Sequence, residues 1–147
     1  MADSRMLQGQ GLSFLARTVL DMTSSPAMTL GAYNFEAANP GKLGQFWSQL
    51  TGGATSAGGD SVYIAPAGEH GFGVFMQPLR GARPDRQFSH LDLTVPWGAR
   101  ASEVERAEAL GANVEWHVLD EYPHVQWTTL SDPEGNLFCI AEHPPTS

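Results

Sequence analysis

His90 and Asp92 are two residues apart in the run Ser89-His90-Leu91-Asp92-Leu93-Thr94-Val95. Apolar and polar residues alternate there, so as a strand the run puts His90, Asp92 and Thr94 on one face and Leu91, Leu93 and Val95 on the other. An imidazole held by a carboxylate can act as a general base near neutral pH. These two residues are the catalytic candidates. His90 reads equally as a strand-start histidine that hydrogen-bonds a neighbouring strand. Cys139, the one cysteine, is either a thiol facing a site or a small buried hydrophobe, the commoner fate of a free cysteine. Trp116 and Trp127, with Phe72 and Phe75, could line an apolar pocket for a planar ligand, although aromatic residues on strands often serve packing alone. Strand alternation adds Asn34 and Gln126 as polar lining. The expected ligand-binding set is therefore Asn34, Phe75, Trp116, Gln126, Trp127 and Cys139. His117 and His124 flank a loop and read as a solvent-facing pair. His143, beside Pro144, belongs to the tail.

The elements that must position these residues follow from periodicity. Residues 29–37 read as a strand with Tyr33 and Phe35 on one face and Asn34 and Glu36 on the other. Asn39-Pro40 is a helix entry, because Asn can cap free N–H groups and Pro tolerates the first turn. Leu43, Phe46, Trp47 and Leu50 then form one apolar stripe that ends at Gly52-Gly53. Strands are expected at 62–65 and 73–77, and a linker at 78–85. The plan then repeats: strand 90–95, helix 99–110, and strands 114–118, 125–130 and 136–141. Between the last two strands lies Asp132-Pro133-Glu134-Gly135-Asn136, a strong turn signal. Two βαβββ units result, with helices on the outer face of a curved sheet.

The chain has 147 residues and 41% hydrophobic content, enough for one domain with a proper core. No apolar run approaches the roughly 20 residues of a membrane span. A secretion signal is not expected, and a single cysteine excludes an internal disulfide framework, which suits the cytoplasm. Eight basic residues against sixteen acidic ones give a net charge of −8. Nucleic acid is not an expected partner, since Arg80, Arg83 and Arg86 are spread through the linker and read as a solvated loop. Residues 1–27 stand apart as an extension. Leu12, Leu15, Ala16 and Val19 fit a short amphipathic helix, while Met28 offers an alternative natural start. The expected division is 28–143 as one domain, with modules 28–78 and 86–143, and a tail at 144–147.

The run from Ser89 to Val95, the helix end Ala109-Leu110-Gly111-Ala112, and the stretch Leu130-Ser131-Asp132-Pro133-Glu134-Gly135-Asn136-Leu137-Phe138-Cys139 together resemble the glyoxalase-like branch of the vicinal oxygen chelate superfamily. The first half matches more loosely, through Asn39–Gly41 and the run from Phe46 to Gly52. The resemblance covers residues 28 to about 142. It implies an α+β fold of two βαβββ modules forming a curved mixed sheet, a cup holding a substrate pocket, and a homodimer. It also implies a divalent metal on four residues, one each on the first and last strands of each half, drawn from His, Gln and Glu. Those positions fall on Ala32, Phe75, His90 and Cys139. Only two carry donors, and they mix hard and soft character. The expectation is thus a metal-independent protein with no cofactor, binding a small, largely apolar molecule for sequestration, as bleomycin-resistance relatives do, or for metal-free proton transfer. The alternative is a metal-dependent lyase, isomerase or dioxygenase whose ligands combine His90 with Asp92, Glu36 or His124.

Overall fold

The computed structural model describes residues 30–145. The helix expected over residues 12–19 and the alternative start at Met28 lie outside them. The first half runs β1 (Ala32–Ala37), α1 (Pro40–Thr51), β2 (Thr55–Gly58), β3 (Ser61–Ile64) and β4 (Gly73–Pro78). The second runs β5 (Leu91–Val95), α2 (Arg100–Leu110), β6 (Asn113–Val118), β7 (Gln126–Ser131) and β8 (Leu137–Glu142). Each half makes a four-stranded mixed sheet, ordered β1-β4-β3-β2 and β5-β8-β7-β6, in which the first and last strands pair in parallel. The expected two-module α+β fold is the observed one. β2 was not anticipated: its sequence, Thr-Ser-Ala-Gly, is exposed throughout and has no apolar period to read.

The two helices start differently. At α1, Asn39 Oδ1 accepts from the Lys42 amide at 3.0 Å and Pro40 occupies the first turn. Gly52 closes the helix in the left-handed region at φ 78°. Gly44, on the buried face, lets the helix lie close to β3, because a Cβ there would meet Val62 Cγ1 at 2.9 Å. Ala99 can supply no side-chain cap to α2. Buried Glu142, on β8, takes that role by accepting from the amides of Gly98 (2.7 Å) and Arg100 (3.1 Å). A carboxylate at a helix N-terminus also meets the positive end of the helix dipole.

One core joins the halves. Phe35, Leu43, Phe46, Trp47, Ile64 and Met76 from the first half pack with Val104, Leu130, Phe138 and Ile140 from the second. Trp47 and Phe138 meet edge to face with ring centres 5.2 Å apart. The stretch read as a turn at 132–136 is also the polar clasp between the halves. Buried Asp132 accepts from Trp47 Nε1 (3.0 Å), from the amides of Glu134 and Asn136, and from Asn136 Nδ2. Glu134 accepts from the amides of Ala38 and Asn39, at the entry of α1. Of the linker arginines expected to be solvated, Arg83 is engaged instead, donating to the Glu134 carbonyl and to Asn136 Oδ1. Its planar fork can serve both acceptors at once. Among the described residues, no helix is long and apolar enough to cross a membrane.

Candidate functional site

In β5, Leu91, Leu93 and Val95 pack against the core, and Asp92 and Thr94 face away from it, as alternation predicts. His90 sits just ahead of the strand, with Nε2 3.2 Å from Asp92 Oδ1. Asp92 pairs with Cys139 of β8, and Cys139 with Thr129 of β7. Trp116 of β6 lies opposite Thr129, next to an irregularity in the β6–β7 register. These residues, with Val125, Trp127 and Ala141, line a cleft of about 400 Å³ on the face of the second sheet that turns away from the helices. Its walls are mostly apolar. Tyr122 stacks on Trp127 with ring centres 5.6 Å apart, extending the aromatic wall.

Cys139 is buried at the base of this cleft, and its Sγ lies 3.2 Å from Thr129 Oγ1. Burial pushes the thiol pKa up, because the thiolate loses solvation. The Thr129 hydrogen bond opposes that shift, and the negative charge and hydrogen bond of Asp92 reinforce it. One potential donor atom each from His90, Asp92 and Cys139 lie within 4.8 Å of one another.

Of the expected site residues, the structure brings together His90, Asp92, Trp116, Trp127 and Cys139. It separates the other three. Gln126 is next to Trp127 on a strand, so the period of two sends it to the opposite face, paired with Glu142. Asn34 and Phe75 are register partners on the first sheet and do not line this cleft. Phe72 lines a different depression, of about 510 Å³, between α1, α2 and β5. That depression is larger and also borders Asp92, with His70, Glu103 and Arg106 among its polar lining. Its Arg106 is spent on Glu103 and on the carbonyls of Gln49 and Leu50. His117 and His124 are both exposed, as expected; His117 Nδ1 meets Thr128 Oγ1 at 2.9 Å, and His124 lies edge-on to Tyr122. Thr129 was missed, although its place two residues after Trp127 puts it on the same face.

Register shows what the internal repeat preserved. Asn34 faces Phe75 across β1 and β4 as Asp92 faces Cys139 across β5 and β8. Ala32 precedes Asn34 by two residues as His90 precedes Asp92. The first half therefore carries Ala32, Asn34 and Phe75 where the second carries His90, Asp92 and Cys139. The scaffold is duplicated and the chemistry is not.

The glyoxalase-like domain family matches residues 32–141, and the chain belongs to it, within the vicinal oxygen chelate superfamily. No curated protein matches the chain. The fold is similar to that of a glyoxalase/bleomycin resistance protein/dioxygenase family enzyme from Burkholderia phytofirmans PsJN, at 17% identity and a TM-score of 0.65, covering 80% of this chain and 100% of that one. It is also similar to a variant of the fosfomycin resistance protein FosX from Listeria monocytogenes, solved with Mn(II) and 1S,2S-dihydroxypropylphosphonic acid. That match has 14% identity and a TM-score of 0.60, covering 83% of this chain and 93% of that one. A glyoxalase-related enzyme from Fulvimarina pelagi matches at 18% identity and a TM-score of 0.58, covering 82% of this chain and 93% of that one. The four-ligand metal centre implied by the superfamily does not fit the residues present here. Ala32 and Phe75 offer no donor atom, and Cys139 puts a soft sulfur where an oxygen-activating ion favours oxygen or nitrogen.

Proposed function

We propose that this protein binds a small, largely apolar molecule in the second-sheet cleft, by means that do not depend on the four-ligand metal centre of its superfamily. One observation carries the reading: the His90–Asp92 pair borders an aromatic-walled cleft of about 400 Å³. That volume lies within the usual range for small-molecule sites, which begins at roughly 300 Å³. Trp116 and Trp127 offer flat apolar area, and Thr129, His90 and Asp92 supply a few polar contacts to orient a ligand. If Asp92 accepts a hydrogen bond from Nε2–H of a neutral His90, Nδ1 keeps the free lone pair. A proton taken from the ligand would go to Nδ1, and Asp92 would stabilise the resulting imidazolium. Sequestration needs only the binding step. A single buried thiol suits a reducing compartment such as the cytoplasm.

The test is native mass spectrometry of the purified protein, with a co-purifying small molecule expected at about one per chain for a single site. His90→Ala and Trp127→Ala should each reduce its occupancy. A cleft that stays empty against a broad set of aromatic compounds would refute the reading.

A second reading rests on the three clustered donors of His90, Asp92 and Cys139. Mixed nitrogen, oxygen and sulfur donors suit a borderline ion such as Zn²⁺, with an open position for a ligand. This is the metal-dependent alternative with Cys139 in place of Glu36 or His124. Near-stoichiometric metal that a chelator removes, and that is lost in Cys139→Ser, would establish it and displace the metal-independent reading.

A homodimer also suits this geometry. β1 and β5 are end strands of their sheets, so each leaves backbone groups along one edge free for a partner strand. The face of the first sheet bearing Asn34 and Phe75 could then cover the cleft of a second copy.

A further inference from the structure

We propose that the ligand of the second-sheet cleft carries a positive charge, as a protonated or quaternary amine on a planar apolar body. This inference rests on the reading that the cleft binds a small molecule, and it goes on to name that molecule's charge. Asp92 is the one acidic residue lining the cleft, and no Lys or Arg lines it. No Lys or Arg side chain in the lining offsets the Asp92 carboxylate. The Asp92 side chain is 71% exposed, so it remains free to meet an incoming cation as well as His90.

The walls point the same way. Trp116 is 49% exposed and Trp127 half-buried, so their rings border the open space of the cleft. Indole faces attract cations through the ring quadrupole, more strongly than other aromatic side chains do. A neutral apolar ligand would use the Trp area but gain nothing from Asp92. An anion would be repelled by it.

The surrounding charge reinforces this selection. Residues 107–147 supply β6, β7 and β8 and contain seven acidic residues and no Lys or Arg. Among the described residues, Glu142 alone of the seven pairs with a cation, Arg100 of α2, while Glu115, Glu121, Asp132 and Glu134 accept hydrogen bonds within the fold. Asp120 and Glu121 directly precede Tyr122, whose ring extends the aromatic wall. Such a one-sided distribution raises the local concentration of cations and lowers that of anions.

The experiment compares three probes with the same indole body: tryptamine as the cation, tryptophol as the neutral analogue and indole-3-acetate as the anion. Ligand-observed NMR and calorimetry on the full chain at pH 7 measure each affinity. Tryptamine should bind on the order of tenfold more tightly than tryptophol, as a desolvated cation–π contact with a carboxylate partner would give. Indole-3-acetate should bind weakest. Added salt should weaken tryptamine and leave tryptophol nearly unchanged. Asp92→Asn should bring the tryptamine and tryptophol affinities close together, and Trp116→Leu should weaken tryptamine more than tryptophol. Equal or tighter binding of tryptophol would overturn the cation inference and leave the small-molecule site standing. Tightest binding of indole-3-acetate would do the same. If none of the three binds, the cation inference falls, and the site reading is decided separately by native mass spectrometry and the broad set of aromatic compounds.

Discussion

Asp92 acts on two neighbours at once, and this makes the site testable one residue at a time. It holds His90 Nε2 at 3.2 Å, and it adds to the upward shift of the Cys139 thiol that burial begins. A raised thiol pKa means less thiolate at a given pH, hence slower alkylation, because the thiolate is the nucleophile. The rate of Cys139 modification by iodoacetamide should therefore rise with pH through a midpoint above the ordinary thiol range. Asp92→Asn removes the negative charge and should move that midpoint to lower pH. Access changes the height of such a profile but not its midpoint, so the shift reports on electrostatics. An unmoved midpoint would mean that Asp92 does not influence the thiol.

The element that most changed meaning is the 132–136 turn. Its residue types dictate a turn, but its side chains also join the two halves through Trp47 and the entry of α1. Asp132→Ala would leave several buried donors without their acceptor and should destabilise the fold by about 3 kcal/mol or more. Trp47→Phe keeps most of the ring and loses one hydrogen bond, so about 1–2 kcal/mol is expected. If the two groups stabilise the fold through each other, urea denaturation of the double variant should show less than the sum. Phe46→Ala, in the apolar stripe of α1, should cost about 3–5 kcal/mol for the cavity it leaves. Full additivity of the Asp132 and Trp47 substitutions would mean the clasp is not a coupled unit.

For the whole molecule, the arrangement of the two sheets matters most. Each has its first strand at an open edge, and the described cleft is lined by second-half residues alone. Sedimentation should give twice the chain mass at micromolar concentration. A charged substitution on the exposed side of β5, such as Thr94→Lys, should shift the protein toward the monomer, because charge on an edge strand disfavours pairing with a partner strand. A wild-type protein that sediments as a monomer would refute the dimer proposal. The −8 net charge keeps such copies apart weakly at low salt, so dimerisation should strengthen as salt is added.

Much of this protein is determined locally, and so the sequence determines it by itself. The alternation in 91–95, the capped stripe from Asn39 to Gly52 and the Asp-Pro-Glu-Gly-Asn turn report on backbone periods of 2 and 3.6 and on left-handed glycines. The repeat of that pattern was enough for two βαβββ modules. The same period put His90 and Asp92 on one face, and the missing donors at Ala32 and Phe75 could be read from residue type alone. Convergence between strands is different, because it depends on register. Only the pairing of β5, β8 and β7 sets Asp92 beside Cys139 and Cys139 beside Thr129, and it excludes Gln126 while admitting Trp127. Strand β2 had no apolar pattern to reveal it, and the double duty of Asp132 depended on where Trp47, 85 positions earlier in the chain, would lie once the chain had folded. Long-range partners arise from packing, and packing is decided only when the whole core closes.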